Sequence, residues 1–447
     1  MKLLSHQKKG LEIARKRDAF AYFWDTGTGK TVLGLSLIRD KAVRTLVVVP
    51  YMLIRDAWLG DAQRFYPDLW FEMTNWHDIK HKKDRWHRLN RASVLVVNYE
   101  SLLHNPDILI KQQWDMLIMD ESQKIKDPKA RITKLLTKHG SKIPHRYLLS
   151  GTPAPNNEIE YWGQLRILMP DRINWSWYKF RMQYFIPADR FGWKWKLRPD
   201  KKEEFESLLK ECAWFLHKDE VLDLKGQHFR TLTYSLSKKE LKVYMQMKRD
   251  LLAEIDGEEV SAMSAVTKLM KLREILSGFA FADAGGVVEI GTSKLRALRD
   301  FVELIPQQYI VWIQYVYEAR QIERTLKDCA VIIGDTPARE RERILESFRK
   351  GNIQVLVAHP KTLGHGITLT NVSAAIYYSL GYSYEEFKQS QDRIYRYGQE
   401  SPVTYYIMQS EQGLIDTKIL SVLERKESNM LKILNLLREE ACHGKEV

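Results

Sequence analysis

The sequence has few cysteines, and they are not arranged to hold a metal or to staple a secreted fold. Cys212, Cys329 and Cys442 lie far apart. No pair has the spacing of zinc ligands, and an odd number argues against a disulfide framework. The charged amino-terminal segment lacks the apolar core and cleavage site of a signal peptide, and no run approaches the roughly eighteen apolar residues of a membrane span. We therefore predict a soluble protein of the cytoplasm.

Low-complexity segments are also lacking, and acidic residues are outnumbered by basic ones. The 447 residues are 44% hydrophobic, which is enough to fill the cores of two or three domains. The 70 lysines and arginines exceed the 57 acidic residues and give a net charge of +13. This excess favours a polyanionic partner such as nucleic acid, because each neutralised phosphate releases a counterion.

Short apolar runs recur along the chain, each followed by residues with helical spacing. One set lies at 45–50, 93–98, 116–120 and 146–150, and a second at 309–315, 330–334, 353–358, 374–379 and 404–408. Continuous apolar strands are buried on both faces, as in parallel sheets covered by helices. The pattern predicts an α/β protein with two doubly wound lobes.

The segment between the two sets of strands differs in composition. It combines tryptophans such as Trp175, Trp193 and Trp195 with many basic residues, and 203–217 and 237–277 have helical periodicity. A turn signal at Gly285-Gly286 marks its end. We predict a first lobe over 1–170, a helical, tryptophan-rich and basic insertion and linker over 171–285, and a second lobe with carboxy-terminal helices over 286–447.

The run DTGTGKT at 25–31 has the Gly-x-Gly-Lys-Thr end of a phosphate-binding loop, although Asp25 takes an early position and the first glycine is missing. Glycines let backbone N–H groups converge on phosphates, and the helix predicted to follow directs its positive end at them. In such a loop Lys30 reaches the β- and γ-phosphates and Thr31 holds magnesium. The alternative, a chance glycine turn, is disfavoured by the position between a strand end and a helix.

The pair Asp120-Glu121 follows the apolar strand MLIM, so both carboxylates emerge at the carboxyl end of a strand, where ligand sites of open α/β sheets lie. Asp120 is predicted to bind magnesium, and Glu121 to orient and deprotonate the attacking water. An acidic pair at a strand end is commonplace, but together with the phosphate loop it predicts an ATPase.

Four motifs in order, DTGTGKT, DESQ (120–123), LLSGTPAPN (148–156) and QSQDRIYRYGQ (389–399), resemble motifs I, II, III and VI of superfamily-two helicases, with the details of Swi/Snf-type DNA translocases. Residues 334–351, 362–378 and 215–244 resemble further segments of that family, and 178–195 is reminiscent of its annealing-helicase subgroup. The resemblance implies two RecA-like lobes, ATP and Mg²⁺ as cofactors, and double-stranded DNA as a partner contacted without sequence specificity. Targeting by a partner protein is also open.

The resemblance implies a role for each matching residue. Arg393 and Arg396 are arginine fingers that act with Lys30 and Glu121 in catalysis. Thr31 and Asp120 hold the metal ion. The ATP site comprises Gln7, which reads the adenine, with Thr26, Gly27, Thr28, Gly29, Lys30, Thr31 and Gly366. Gln123, Ser150 and Thr152 couple the acidic pair Asp120-Glu121 to motif III. Nucleic-acid contacts are placed within Pro50 to Arg55, at Asn98, Tyr99 and Glu100, at Gln314, and over Gly364 to Gly366.

Three departures from the family pattern concern DNA contact and coupling. Gln123 stands where many relatives have histidine, Leu216-His217 replaces an arginine pair, and residues 361–364 replace an Arg-Ala-Gly-Gly run. For any one predicted contact residue, packing at a strand end is about as plausible as contact with DNA.

Two basic runs have open interpretations. The run over 80–91 lines a phosphate track or is a solvated helix face, and the second interpretation is slightly favoured. The stretch 190–202 either faces duplex DNA or forms a β-hairpin whose tryptophans pack on a core.

The leading functional prediction is a DNA-dependent ATPase that translocates on double-stranded DNA and remodels DNA or protein–DNA complexes. The alternative within the same fold is a strand-separating or annealing helicase. A different class, a scaffold gated by ATP, is less favoured because Lys30, Asp120, Glu121, Arg393 and Arg396 are all present.

Overall fold

The computed structural model describes residues 3–79, 82–188, 195–221, 225–256, 262–282, 285–363, 369–396 and 398–424. The described residues up to 221 form one unit, and those from 225 onward form a second. Each unit is built around its own parallel β-sheet.

The first unit contains nine strands within the described ranges. They are β1 (Ala19–Trp24), β2 (Thr45–Val49), β3 (Met73–Asn75), β4 (Val94–Asn98), β5 (Met116–Asp120), β6 (His145–Leu149), β7 (Phe185–Pro187), β8 (Trp195–Leu197) and β9 (Ala213–Leu216). Seven of these form a sheet in the order β3-β4-β2-β5-β6-β1-β9, and every neighbouring pair in it is parallel. Because parallel strands need crossover connections, helices lie between them.

The helices of the first unit follow the chain between these strands. They are α1 (Ser5–Lys16), α2 (Lys30–Lys41), α3 (Tyr51–Leu53), α4 (Gly60–Phe65), α5 (Pro67–Glu72), α6 (Lys82–Arg91), α7 (Tyr99–His104), α8 (Asp107–Ile110), α9 (Arg131–His139), α10 (Trp162–Leu168), α11 (Trp177–Tyr184) and α12 (Lys202–Cys212). A π-helical segment, Ile54–Leu59, joins α3 to α4 without a break. Short 3₁₀ turns occur elsewhere, one of them at Ser122–Ile125 directly after the acidic pair.

Alternate residues of the central strands supply two cores, one on each face of the first sheet. Phe23, Val48 and Met119 belong to one core. Tyr22 and Val47, their neighbours along the strands, belong to the other. Burial on both faces explains why these strands are continuous apolar runs in the sequence. It also leaves the strand ends as the places where polar chemistry can emerge.

The second unit repeats this architecture with eight strands among its described residues. They are β10 (Gln227–Tyr234), β11 (Phe279–Phe281), β12 (Val287–Glu289), β13 (Tyr309–Trp312), β14 (Cys329–Ile332), β15 (Val355–Ala358), β16 (Ala374–Tyr377) and β17 (Val403–Ser410). Six form a parallel sheet in the order β10-β17-β16-β13-β15-β14, and β11 pairs with β12 in an antiparallel hairpin. The helices are α13 (Lys238–Asp256), α14 (Ala262–Leu276), α15 (Ser293–Leu304), α16 (Val316–Thr325), α17 (Ala338–Arg349), α18 (Tyr384–Gln391) and α19 (Ile415–Glu424).

The segment predicted as an insertion and linker, 171–285, contributes to both units. Its β9 pairs with β1 at one edge of the first sheet, and its β10 pairs with β17 at one edge of the second. The predicted hairpin is present, since β7 and β8 pair in an antiparallel register that opposes Phe185 to Leu197. Trp175, Trp177 and Trp195 pack partly buried against the first core. The predicted basic residues at 190–194 lie outside the described residues.

The predicted fold class is confirmed, because both sheets are parallel and carry helices between their strands. All nine apolar runs coincide with strands, within a few residues at their ends. Within the basic run at 80–91, residues 82–91 form α6, whose described side chains are exposed apart from Leu89, and residues 80–81 lie outside the described residues. Among the residues that the structure describes, no helix combines the length and apolar character needed to cross a membrane.

Candidate nucleotide-binding site

The phosphate loop joins β1 to α2 at the carboxyl end of the first sheet. Gly27 and Gly29 have φ values of 84° and 83°. These lie in the left-handed region, which a side chain makes unfavourable, so both positions require glycine. Lys30 begins the twelve-residue α2, whose first backbone N–H groups have no partner within the helix. The predicted strand, loop and helix are thus all present.

Within the loop, side chains bond to the loop's own carbonyl groups. The Nζ atom of Lys30 donates to the carbonyl oxygen of Trp24 at 2.8 Å and to that of Asp25 at 3.2 Å. Thr28 donates through Oγ1 to the Asp25 carbonyl at 2.7 Å. Lys30 is buried, whereas Thr26, Gly27 and Thr31 are half-buried. The lysine is therefore held at the loop and is not extended into solvent.

Helix α1 holds the other side of the phosphate loop. The Nε2 atom of His6 lies 2.8 Å from the carbonyl oxygen of Thr28, and Nε2 of Gln7 donates to the Gly29 carbonyl at 3.2 Å. A β-carbon at Gly29 would lie 2.3 Å from Nε2 of Gln7, so glycine is needed there for space as well as for backbone conformation. Gln7, predicted to read adenine, thus contacts the loop directly.

The acidic pair lies at the end of β5, and Asp120 is buried. Its Oδ2 accepts a hydrogen bond from Nε1 of Trp58 at 2.8 Å, and its Oδ1 accepts from the backbone N–H of Glu121 at 3.0 Å. Burial raises the pKa of Asp120 to about 6, and the charge of Glu121 acts in the same direction. The Trp58 hydrogen bond and the charge of Lys30 oppose this rise. A bound cation would stabilise the charged form of such a carboxylate.

Glu121 has a left-handed backbone, with φ of 51°, which is uncommon for a residue with a side chain. Its Oε2 accepts from Nε2 of Gln123 at 2.8 Å. Oε1 of Gln123 accepts from Oγ of Ser150 at 2.7 Å, and the same Oγ accepts from the backbone N–H of Thr152 at 3.1 Å. The three predicted coupling residues thus form a continuous relay from Glu121 to the loop after β6.

The loop after β6 also approaches the phosphate loop. A β-carbon at Gly151 would lie 3.0 Å from Cγ2 of Thr26 and 3.5 Å from Nζ of Lys30. The residue between Ser150 and Thr152 is therefore in van der Waals range of the phosphate-binding lysine. Motifs I, II and III meet at one edge of one sheet, as the carboxyl ends of parallel strands require.

The donor set of this edge fits magnesium and ATP. Magnesium in nucleotide sites uses one or two protein oxygens, with the remaining positions filled by phosphate and water. The hydroxyl of Thr31 and the carboxylate of Asp120 are hard oxygen ligands of that kind. No cluster of three or more histidine, cysteine or acidic residues suited to a metal occurs in the described part of the chain.

Two of the residues predicted to touch nucleic acid have buried side chains. Asn98 begins α7 by accepting from the backbone N–H of Ser101 at 3.2 Å. Tyr99 donates through its hydroxyl to the carbonyl oxygen of Asp120 at 2.7 Å, and burial raises the pKa of Tyr99 well above its usual value, so the hydroxyl stays protonated. The Tyr99 side chain thus supports the acidic strand, whereas the Asn98 side chain caps α7.

Other predicted residues belong to the second unit or lie outside the described ranges. Gln314 follows β13, and its backbone N–H donates to Oγ of Ser379 at 2.9 Å. Arg393 and Arg396 follow α18; Arg393 is buried and Arg396 is half-buried. Gly364 and Gly366 lie outside the described residues.

Comparison with known families decides the relationship of the chain. Residues 6–278 match the family described as SNF2-related domain, and residues 293–398 match the helicase conserved C-terminal domain. The first match covers more than half of the chain. The chain belongs to the SNF2-related family. The two matches together are those of a helicase-type ATPase, so the predicted resemblance is confirmed.

Two animal proteins are relatives of this SNF2-related chain, and a solved archaeal structure is similar to it. A bovine protein named DNA annealing helicase and endonuclease ZRANB3 is 27% identical, over 98% of this chain and 41% of its own length. A Caenorhabditis elegans homologue of SWI/SNF-related matrix-associated actin-dependent regulator of chromatin subfamily A-like protein 1 is 27% identical, over 90% of this chain and 58% of its own. A solved Sulfolobus solfataricus SWI2/SNF2 ATPase core in complex with dsDNA is 21% identical, with a TM-score of 0.46, over 95% and 91% of the two chains. The chain spans about two fifths to three fifths of the length of these two curated relatives.

Several residues of the SNF2-related site were missed by sequence reasoning. His6 and Trp58 contact the phosphate loop and Asp120 from outside the recognised motifs. Gln164 accepts from Oγ of Ser122 at 2.8 Å and donates to the Pro153 carbonyl at 2.8 Å, which adds a second connection between motifs II and III. No local pattern in the sequence marks these residues.

Proposed function

We propose that the chain is an ATP-hydrolysing motor that translocates on double-stranded DNA and remodels DNA or protein–DNA complexes. The relay from Glu121 through Gln123 to Ser150 carries this proposal. A carboxylate suited to activating water is tied by two hydrogen bonds to a loop that also touches the phosphate loop. A relay of this kind makes the position of the base depend on the loop after β6, as a motor requires.

The residues of the first unit divide the work of hydrolysis. The backbone of the phosphate loop and Lys30 bind the β- and γ-phosphates, and Thr31 and Asp120 hold magnesium, which when bound withdraws charge from the phosphate oxygens. Glu121 orients the attacking water and accepts its proton. Gln123 fixes the direction of the Glu121 carboxylate through its amide N–H, so that one oxygen is oriented while the other can face the water.

Arg393 and Arg396 complete the proposed chemistry as arginine fingers that stabilise the charge developing on the γ-phosphate. A finger of this kind contributes ~10³ or more in rate. The net charge of +13 supports a phosphate backbone as the track. The printed name of the bovine relative, a DNA annealing helicase, supports DNA as the polyanion and also supports the alternative that the motor rewinds or separates strands. The cytoplasmic location stays a prediction.

The test is the rate of ATP hydrolysis with duplex DNA, single-stranded DNA, forked DNA and single-stranded RNA at equal nucleotide concentration. We expect the strongest stimulation with duplex or forked DNA, and a steep loss of stimulation with added salt. Triplex displacement would then report translocation, and a labelled fork would report strand separation or annealing.

Two lysines at opposite ends of α2 provide an inactive variant and its matched control for this assay. Lys30→Ala should abolish stimulated hydrolysis, while Lys41→Ala, at the end remote from the loop, should leave it within about twofold. Stimulation by RNA alone, or a Lys30→Ala protein that hydrolyses ATP normally, would contradict the proposed function.

A further inference from the structure

Trp58 is a fully buried tryptophan whose polar atom reaches the candidate metal ligand. It lies in the π-helical segment Ile54–Leu59, which overlaps the end of the stretch Pro50 to Arg55 that is predicted to contact the nucleic-acid strand. π-Helical turns are rare and occur frequently at functional sites, because one extra residue in a turn redirects the side chains around it. In this segment the side chain concerned is the indole of Trp58.

The indole contacts two parts of the nucleotide site. Its Nε1 donates to Oδ2 of Asp120 at 2.8 Å. Its ring lies against α2, because a β-carbon at Gly34 would approach within 2.5 Å of Cη2 of Trp58. Gly34 therefore leaves the space that the ring occupies, four residues after the phosphate-binding Lys30. The ring is wedged between the helix of motif I and the carboxylate of motif II.

We infer that Trp58 is a positioning residue for magnesium binding, which fixes the Asp120 carboxylate and ties its orientation to the helical stretch 51–65. This inference rests on the proposed function only in taking Asp120 as a metal ligand. The N–H group holds one carboxylate oxygen in place and so limits rotation of the group about its Cβ–Cγ bond. Hydrogen-bond donors behind a metal ligand have this effect, and their loss typically weakens metal affinity ~10- to 100-fold.

The same contact connects the helical stretch 51–65, part of which is predicted to contact the nucleic-acid strand, to the acidic pair Asp120-Glu121. A shift of residues 51–65 on strand binding moves the indole, and the indole moves Asp120. The connection is short, because it consists of one side chain and one hydrogen bond. It is independent of the relay through Gln123, which leaves Glu121 from the other side of the acidic pair.

The test compares two buried tryptophans that each donate one hydrogen bond. Trp58→Phe removes the N–H group that faces Asp120. Trp114→Phe is the matched control, since Nε1 of Trp114 donates to the carbonyl oxygen of Ile108 at 2.7 Å, within the same unit and away from the nucleotide site. Binding of Mn²⁺ to each protein with a non-hydrolysable ATP analogue is measured by electron paramagnetic resonance, with thermal unfolding as a check on folding.

We expect both variants to lose similar thermal stability, while only Trp58→Phe loses about tenfold in Mn²⁺ affinity. Equal Mn²⁺ affinity in the two variants would overturn the inference and leave the proposed function intact. A wild-type protein that binds neither Mn²⁺ nor the nucleotide would instead contradict the proposed function.

A second variant keeps the inference testable if Trp58→Phe does not fold. Gly34→Ala retains the indole N–H but displaces the ring, because the new methyl group overlaps it. We expect weaker Mn²⁺ binding in this variant as well. Unchanged Mn²⁺ affinity in a folded Gly34→Ala protein would overturn the role assigned to the ring position.

Discussion

Glu121 of the first unit and Glu318 of the second are both buried carboxylates that follow the carboxyl end of a strand in a parallel sheet. Glu318 lies in the first turn of α16 and accepts from the backbone N–H groups of Gln314 and Tyr315 at 2.9 and 3.1 Å. It also accepts from the hydroxyls of Ser379 and Ser277 at 2.7 and 2.5 Å. Glu121 instead has a left-handed backbone and accepts from a side-chain amide.

The comparison shows that burial at a strand end does not by itself identify a catalytic carboxylate. Four donors from three segments make Glu318 a structural acceptor that joins the start of α16 to the ends of two strands. The backbone strain at Glu121 is the kind that occurs at active sites, where the surroundings maintain it.

The largest expected effect is that of replacing Glu121, the catalytic carboxylate of the comparison. Glu121→Gln keeps the shape of the side chain but removes the base, so we expect kcat for ATP hydrolysis to fall ~10³-fold or more. The free energy of unfolding should change by less than about 1 kcal/mol. Steady-state hydrolysis and urea denaturation measure the two quantities. Retention of a tenth of the wild-type kcat would contradict the assignment.

Replacing Glu318, the structural carboxylate of the comparison, should reduce stability and leave hydrolysis almost unchanged. Glu318→Ala leaves buried N–H and O–H groups without an acceptor, so we expect about 4 kcal/mol less stability of the second unit, since each stranded donor costs roughly 1–3 kcal/mol. Hydrolysis without nucleic acid, measured below the unfolding transition, should stay within about threefold of wild type. A stable but inactive protein would make Glu318 part of the catalytic site and break the comparison.

The buried carboxylate of Asp120 makes the stability of the first unit depend on pH. The pKa of Asp120 is raised to about 6 in the folded state, so folding favours its protonated form. Its stabilising contribution is complete below about pH 4 and is lost as the pH rises through about 6. Relative to Asp120→Asn, we expect the metal-free protein to lose about 2 kcal/mol between these pH values. Parallel pH profiles in urea denaturation would contradict this, and magnesium with nucleotide should reduce the slope.

The smallest expected effect concerns the relay that Glu318 lacks. Gln123→Ala removes the amide between Glu121 and Ser150, and we expect stimulation of kcat by duplex DNA to fall about tenfold while hydrolysis without DNA changes less. Gln112→Ala is a suitable control, since Gln112 accepts from Arg44 at 3.0 Å in the same unit, outside the nucleotide site. Equal losses with and without DNA would make the relay a catalytic support and not a coupling device.

The sequence predicted the sheets well because their strands are buried on both faces. The run MLIM before Asp120 has no polar interruption, and the same is true of the run that became β2. Short edge strands were missed, since β3 and β9 are three and four residues long and are buried less regularly. Their positions depend on which strands they meet, and pairing between distant segments leaves no local pattern.

The nucleotide site was predicted where its chemistry requires a fixed local order of residues. Glycines and a lysine at set spacing identify the phosphate loop, and Gln123 and Ser150 belong to motifs of the resembled family. Trp58 reaches Asp120 across 62 positions of the chain, a contact that depends on the π-helical turn. A hydrogen bond between such distant residues follows from tertiary packing, which a single sequence does not encode as a spacing.

The position of β1 between β6 and β9 has a consequence for insertions. The chain leaves the sheet after β6 on one side of β1 and returns as β9 on the other, so the excursion between them begins and ends at fixed points. At its return, the backbone N–H of Lys218 bonds to the carboxylate of Asp25, the first residue of the phosphate loop. A segment inserted into this excursion, away from Ser150, Thr152 and Gln164 of the ATP site and from its core-packed aromatics, therefore changes loop-closure entropy little. This makes the excursion a suitable place to graft a new recognition module onto the same ATP site.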